Sequence, residues 1–167
     1  MPTSPVISER TLILDTGPLR ELVVYSAVHD LRIMSLKGHL QYFHERSHYE
    51  RVTEFIANFP KKTTTAHVVT EISSWIIQKS DPKGHFAIWG LVYAEFSSMG
   101  MDEDVLKLVD MPQQLVADFG AADAGILQLA SNLGRIKPTV LSVDSALIAE
   151  CKRAGVDAKD LWEVIFS

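Results

Sequence analysis

Asp15, Glu71, Asp123 and Asp144 are the acids whose sequence settings suit chemistry. Asp15 ends the apolar run Thr11-Leu12-Ile13-Leu14 and is followed by Thr16, then by Gly17-Pro18, which reads as a turn. Asp144 repeats that grammar after Thr139-Val140-Leu141-Ser142-Val143, with Ser145 next. An apolar run without alternation suits a strand covered on both faces. Each Asp is thereby placed at the carboxyl end of a buried strand, the edge where open α/β sheets bind ligands. If the two strands are parallel neighbours, their Asp residues end about 4.8 Å apart in backbone. Two carboxylates that close repel, and one of them holds its proton more tightly unless a cation lies between them. The plainer role for both is to cap the helix that follows.

Glu71 belongs to a helix expected to start where a second strand ends, so its first turns overlie the same sheet edge. It shares a polar strip with Ser74 and Gln78. A solvated flank residue is the alternative. Asp123, in Phe119-Gly120-Ala121-Ala122-Asp123-Ala124-Gly125-Ile126, has apolar helical neighbours and no cation within one turn. A charge on a packed stripe is costly unless it is paired or bound to metal. Three or four such acids can hold Mg²⁺ or Mn²⁺, which prefer oxygen ligands and keep several waters. Such ions can activate water and clamp a phosphodiester for in-line attack. Thr16 or Ser142 could hydrogen-bond a ligand carboxylate from behind. Asp102, Asp104 and Asp118 are spare acids that could replace one of the four.

The elements that must position these acids follow from periodicity. Strands are expected at Thr11–Leu14, Lys61–Thr65, Asp104–Asp110 and Thr139–Val143, with an edge strand in Val156–Phe166. Helices are expected over Leu19–Val28, Gln41–Phe59, Ala66–Lys79 (capped by Thr65), Lys83–Ser98, Pro112–Phe119, Gly120–Leu133 and Ser145–Ala154. The Phe86, Trp89, Tyr93, Phe96 stripe suits the core better than a dimer or partner surface. Alternating strands and helices give an α/β fold, a parallel sheet between helical layers.

The chain has 167 residues, 47% of them apolar and 22% charged, which suits one domain over 11–167 behind a flexible N-terminus over 1–10. No apolar run approaches the ~18 residues of a membrane span, and the opening Met1-Pro2-Thr3-Ser4-Pro5 has no signal-peptide pattern. One cysteine, Cys151, suits a reducing cytoplasm. A net charge of −5 argues against a module that lives by non-specific nucleic-acid affinity, though not against an enzyme whose acidic site holds cations. Small basic clusters stand at Lys61-Lys62, Lys79 with Lys83, and Arg135 with Lys137.

The order of motifs resembles the PIN-domain nucleases, the family that includes the VapC-type toxins of toxin–antitoxin pairs. The matching residues are Leu14-Asp15-Thr16, then Thr70-Glu71, then Gly120-Ala121-Ala122-Asp123-Ala124, then Leu141-Ser142-Val143-Asp144, over roughly residues 11 to 160. The resemblance implies a three-layer α/β/α sandwich and Mg²⁺- or Mn²⁺-dependent cleavage of RNA. It assigns the catalytic, metal-holding roles to Asp15, Glu71, Asp123 and Asp144. It also implies homodimers and, in the toxin branch, a small antitoxin laid across the site. The region Met99–Pro112 and the long Gln41–Phe59 helix depart from the shortest toxins.

Three other readings compete. His44-Glu45-Arg46-Ser47-His48 spells the HExxH zinc-peptidase signature, but a catalytic zinc needs a third protein ligand and no downstream motif completes it. A haloacid-dehalogenase-like phosphatase wants a second Asp two residues after the first, where Gly17 stands. A non-catalytic interaction protein of PIN fold would not need the acids to be intact.

Overall fold

The computed structural model describes residues 10–134 and 137–167. The expected fraying of the N-terminus, and Arg135 of one basic cluster, therefore fall largely outside the described residues. Five strands, β1 (Thr11–Leu14), β2 (Lys61–Thr65), β3 (Met101–Asp104), β4 (Thr139–Ser142) and β5 (Asp157–Asp160), pair in the order β3-β2-β1-β4-β5. Every pairing is parallel. Leu12, Ile13, Leu14, Val140 and Leu141 are wholly inaccessible to solvent, as strands covered on both faces must be.

The helices are α1 (Thr16–His29), α2 (Arg46–Ala57), α3 (Ala66–Lys79), α4 (Pro82–Met99), α5 (Gln113–Asn132), α6 (Ser145–Arg153) and α7 (Leu161–Phe166). The chain leaves central β1 toward β2 and β3, then crosses back to β4 and β5. Right-handed crossovers therefore put α1 to α4 over one face and α5 with α6 over the other. Accordingly α1 packs on α3 and α4, and α5 packs on α6. The result is the expected α/β/α sandwich. Its strand order reverses between β1 and β4, and in such sheets the crevice beyond the strand ends at that point receives ligands.

Several local expectations are corrected. Gly17-Pro18 is no turn but the first turn of α1, where a missing Pro N–H costs nothing because that N–H has no helical acceptor. The third strand is Met101–Asp104 rather than Asp104–Asp110. Its pairing with β2 decides this, and the β-prone Val105, Leu108 and Val109 lie exposed beyond it.

The helix expected from Gln41 begins only at Arg46. Buried Glu21 of α1 explains the delay. Its Oε1 accepts N–H bonds from Gln41 (2.7 Å), Tyr42 (2.5 Å) and Phe43 (3.1 Å), fixing that backbone outside a helix. The chain from Val156 to Phe166 is half strand and half helix, because Asp160 accepts the Trp162 N–H and starts α7.

The aromatic stripe is not core. The sheet side of α4 is Ile88 and Val92, while Phe86 is 89% and Tyr93 75% exposed, with Trp89 and Phe96 half-buried between.

Candidate functional site

The edge of the sheet where β1, β2 and β4 end is built by parallel register. Leu14 pairs with Leu141, so the next step of β1 sets Asp15 beside Ser142 rather than beside Asp144. The Asp15 N–H donates to Leu141 O at 3.1 Å, which pins the strand end. The expected backbone adjacency of Asp15 and Asp144 is thus corrected. Asp144 stands two residues beyond Asp15's neighbour and opens α6.

Ser142 joins the two acids instead. Its Oγ donates to Asp15 Oδ2 (2.6 Å) and accepts the Asp144 N–H (2.9 Å). Both acids also cap helices. Asp15 Oδ1 accepts the Thr16 N–H (2.6 Å), and Asp144 Oδ1 accepts the N–H groups of Ala146 (2.7 Å) and Leu147 (3.0 Å). Capping and site-building are therefore not alternatives here, since a carboxylate has lone pairs for both.

Glu71 reaches the same edge from α3. Thr65, the last residue of β2, caps that helix through the Val68 N–H, and Glu71 follows in its second turn. The Thr16 hydroxyl donates to Glu71 Oε2 at 2.5 Å across the crevice. Thr16 and Ser142, singled out as supporting hydroxyls, hold one acid each.

Asp123 enters from the opposite layer. The α5 helix breaks at Gly120, whose φ of 82° and ψ of 170° suit glycine alone, so the residues from Ala121 start a fresh helical segment with Asp123 in its first turn. The two segments expected from the sequence are therefore real.

The four carboxylates share one field. Burial pushes the Asp15 carboxyl above the usual carboxylate range, the Ser142 and Thr16 hydrogen bonds oppose this, and the charges of Glu71 and Asp144 add to the rise. Asp15 is only 5% exposed. Asp123 is pushed up to about 7, by burial first and then by the charges of Asp15, Asp144 and Glu71. Among the described residues, the ion pairs identified are Arg46–Glu50, Lys152–Glu163 and Arg153–Glu150, and none involves the four acids.

Among the described residues, no three His, Cys, Asp or Glu side chains converge closely enough to form a ready metal cage. The Thr16 hydroxyl binds Glu71 and the Ser142 hydroxyl binds Asp15, and the charges of Glu71 and Asp144 still reach both Asp15 and Asp123. The donor set suits a hard divalent cation: it is all oxygen, it is in no identified ion pair with lysine or arginine among the described residues, and it includes a carboxyl pushed up to about 7. The spare acids serve elsewhere. Asp104 takes the Thr63 hydroxyl (2.5 Å), Asp118 takes the Gln114 amide (2.8 Å), and Asp102 is exposed on edge strand β3.

Two neighbours of the site escaped sequence reading. A Cβ on Gly17 would stand 2.4 Å from Val143 Cγ2, so the glycine lets α1 pass the turn between β4 and α6 and brings Asp15 near Asp144. The i, i+4 spacing of His67 and Glu71 could have flagged His67, whose Nε2 is buried without a hydrogen-bond partner among the described residues.

The HExxH segment does not form a helical pair of ligands. His44 precedes α2, Glu45 occupies its N-cap position, and His48 sits in the first turn with Nδ1 3.1 Å from Tyr42 O. Among the described residues, no helix is long and apolar enough to cross a membrane. No family model matches the chain, and no curated protein matches it.

Proposed function

We propose that the protein is a divalent-metal-dependent endoribonuclease of PIN type, cutting RNA at the crevice between β1 and β4. What supports this reading is that the charges of Glu71 and Asp144 reach Asp15, and those of Asp15, Glu71 and Asp144 reach Asp123, although the four come from separate stretches of chain and no ion pair to them is found among the described residues. A phosphodiester is itself anionic, so this acidic crevice would repel it. The basic residues Lys61 and Lys62 begin β2, at the other end of the strands, and do not offset that repulsion. An Mg²⁺ or Mn²⁺ ion, which Asp15, Glu71, Asp123 and Asp144 would hold, would supply the missing positive charge and activate water.

The chain's own residues have separable tasks. Asp15 is the anchor, its carboxylate oriented by Ser142 and by the Thr16 N–H. Thr16 turns Glu71 into the crevice, and the helix-capping bonds of Asp144 hold its second oxygen in a fixed direction. Hydrolysis adds water to phosphorus and breaks one P–O ester bond, so a proton must leave the water and another must reach the departing oxygen. Asp123 would give up its own proton when the cation binds and serve as an oxygen ligand, while the protons of hydrolysis exchange with water. An antitoxin protein covering the crevice is the regulatory partner this reading implies.

The test is cleavage of fluorescently labelled RNA with Mn²⁺ by the parent and by Asp15→Asn. The parent should cut, and the variant should fall by roughly a thousandfold or more with an unchanged circular dichroism spectrum. A variant that cuts like the parent removes Asp15 from the chemistry. A parent that stays inert on RNA with Mn²⁺ favours a non-catalytic binding protein.

A further inference from the structure

The crevice continues past the acids along one side of the sheet. Thr16 and Arg20 stand one turn apart on α1, and Glu71 and Trp75 one turn apart on α3, a spacing of about 5–6 Å in each case. Thr16 binds Glu71, so Arg20 and Trp75 meet one turn farther along the same helix pair, with the Arg20 guanidinium carbon 6.0 Å from the Trp75 ring centre. The Arg20 Nη2 donates to Gln41 Oε1 at 3.1 Å. Tyr42 follows Gln41 and sets its ring edge against Trp162, 5.1 Å between centres. Trp162 lies just beyond Asp160, the register partner of Ser142, and so stands at the same end of the sheet as Asp144. It stacks on Phe166 at 5.3 Å, and both rings are exposed, while neighbouring Asp160 is engaged in capping α7.

Arg20 is held without being neutralised. Among the described residues it is in no identified ion pair, and its Nε–H is buried without an acceptor. The hydrogen-bond partner identified for it, Gln41, is a neutral amide, and the Trp75 ring fixes the plane of the guanidinium. An oriented guanidinium with its charge unanswered suits the paired oxygens of a phosphate. We infer that this strip is a binding site for single-stranded RNA, in which Arg20 takes a backbone phosphate beside the crevice and Trp162 takes an unstacked base.

The side chains that join the strip are all planar: indole, guanidinium, amide, phenol and phenyl. A base offers a flat face to such groups, and that stacking tolerates any sequence. In a duplex the base faces are already covered by their neighbours, so the exposed rings of Trp162 and Phe166 would find nothing to stack on. Tryptophan, tyrosine and arginine also anchor protein partners, so residue type alone does not choose the ligand. Position does. The strip runs past Thr16 and Glu71, where the nucleotides flanking a cut phosphate must lie. The inference rests on the nuclease reading for that choice, and its own readout is binding without metal.

The test is fluorescence anisotropy of a labelled RNA single strand of about 12 nucleotides with the full chain, in EDTA at low salt. The parent should bind with a Kd of about 100 µM or tighter, and the same strand annealed to its complement should bind roughly tenfold more weakly or worse. Arg20→Gln should weaken binding roughly tenfold and flatten the slope of log K against log salt by about 0.7, the share of one phosphate on a single strand. Trp162→Ala, at an exposed position of α7, should weaken binding roughly tenfold without moving that slope, and Trp162→Phe should recover most of the loss. Lys62→Gln, which removes a charge at the other end of the strands, should change neither. An Arg20 that only props the Gln41 loop would lower affinity with the slope unmoved, and that result overturns the inference. So does a parent that fails to bind the single strand at about 200 µM, or one that binds the duplex equally well. A parent inert with Mn²⁺ that still shows both losses refutes the nuclease reading alone. A parent that cuts RNA while both variants bind it unchanged refutes the strip alone.

Discussion

Replacing Asp123 with asparagine removes a charge that burial and three neighbouring carboxylates make costly. The Asp123 carboxyl moves from 3.8 to about 7, roughly three pH units. At about 1.4 kcal/mol per unit, that is about 4 kcal/mol against the ionised form. Asp123 is partly open to solvent, which screens the effect, so about 1–2 kcal/mol is the expected share. Between pH about 4 and about 7 the folded protein holds a proton that the unfolded chain has released. This group's contribution to stability is therefore fully present below about pH 4, falls as pH rises, and is gone above about 7. Asparagine cannot ionise, so the advantage of Asp123→Asn over the parent should be clearly smaller at pH 5 than at pH 8, where it reaches about 1–2 kcal/mol. The assay is urea unfolding in EDTA at both pH values. Millimolar Mg²⁺ should then close the gap at pH 8 by stabilising the parent, since an ion that binds only the folded state adds RT ln(1 + [M]/Kd). A variant whose difference from the parent is the same at pH 5 and pH 8 would refute the reasoning.

Other substitutions test the supports around the site. Gly17→Ala should cost about 1–3 kcal/mol in urea unfolding, because the new methyl meets Val143 at 2.4 Å. Adding Val143→Ala should recover part of that loss, and strictly additive costs would show that the two residues do not meet. Glu21→Ala strips the acceptor from three backbone N–H groups and should lose about 3 kcal/mol or more, whereas Glu21→Gln, which keeps one oxygen, should lose less.

The parts of this protein that the sequence exposes are those set by local pattern. The runs Leu12-Ile13-Leu14 and Val140-Leu141 announce buried strands, and the acids that end them mark the ligand edge. What stayed hidden depends on partners distant in the chain. Met101-Asp102-Glu103-Asp104 carries no apolar signal and is a strand only because β2 is there to pair with it. The loop before α2 is held by Glu21, some twenty residues earlier. Periodicity on α4 points to the Phe86, Trp89, Tyr93, Phe96 stripe as core, but the packing of α1 and α3 buries Ile88 and Val92 instead. Asp15, Glu71, Asp123 and Asp144 could be picked out by residue type and position. The hydroxyl links through Thr16 and Ser142 required the register of β1 against β4.

The central claim is that these four acids form one cation site, and calorimetric titration of Mn²⁺ into the metal-free protein at pH 7 addresses it directly. The parent should bind and release protons as Asp123 ionises, and Asp15→Asn, Glu71→Gln, Asp123→Asn and Asp144→Asn should each weaken binding by roughly tenfold or more. A parent that takes up no Mn²⁺ at millimolar concentration, or four variants that all bind it as the parent does, would contradict the account.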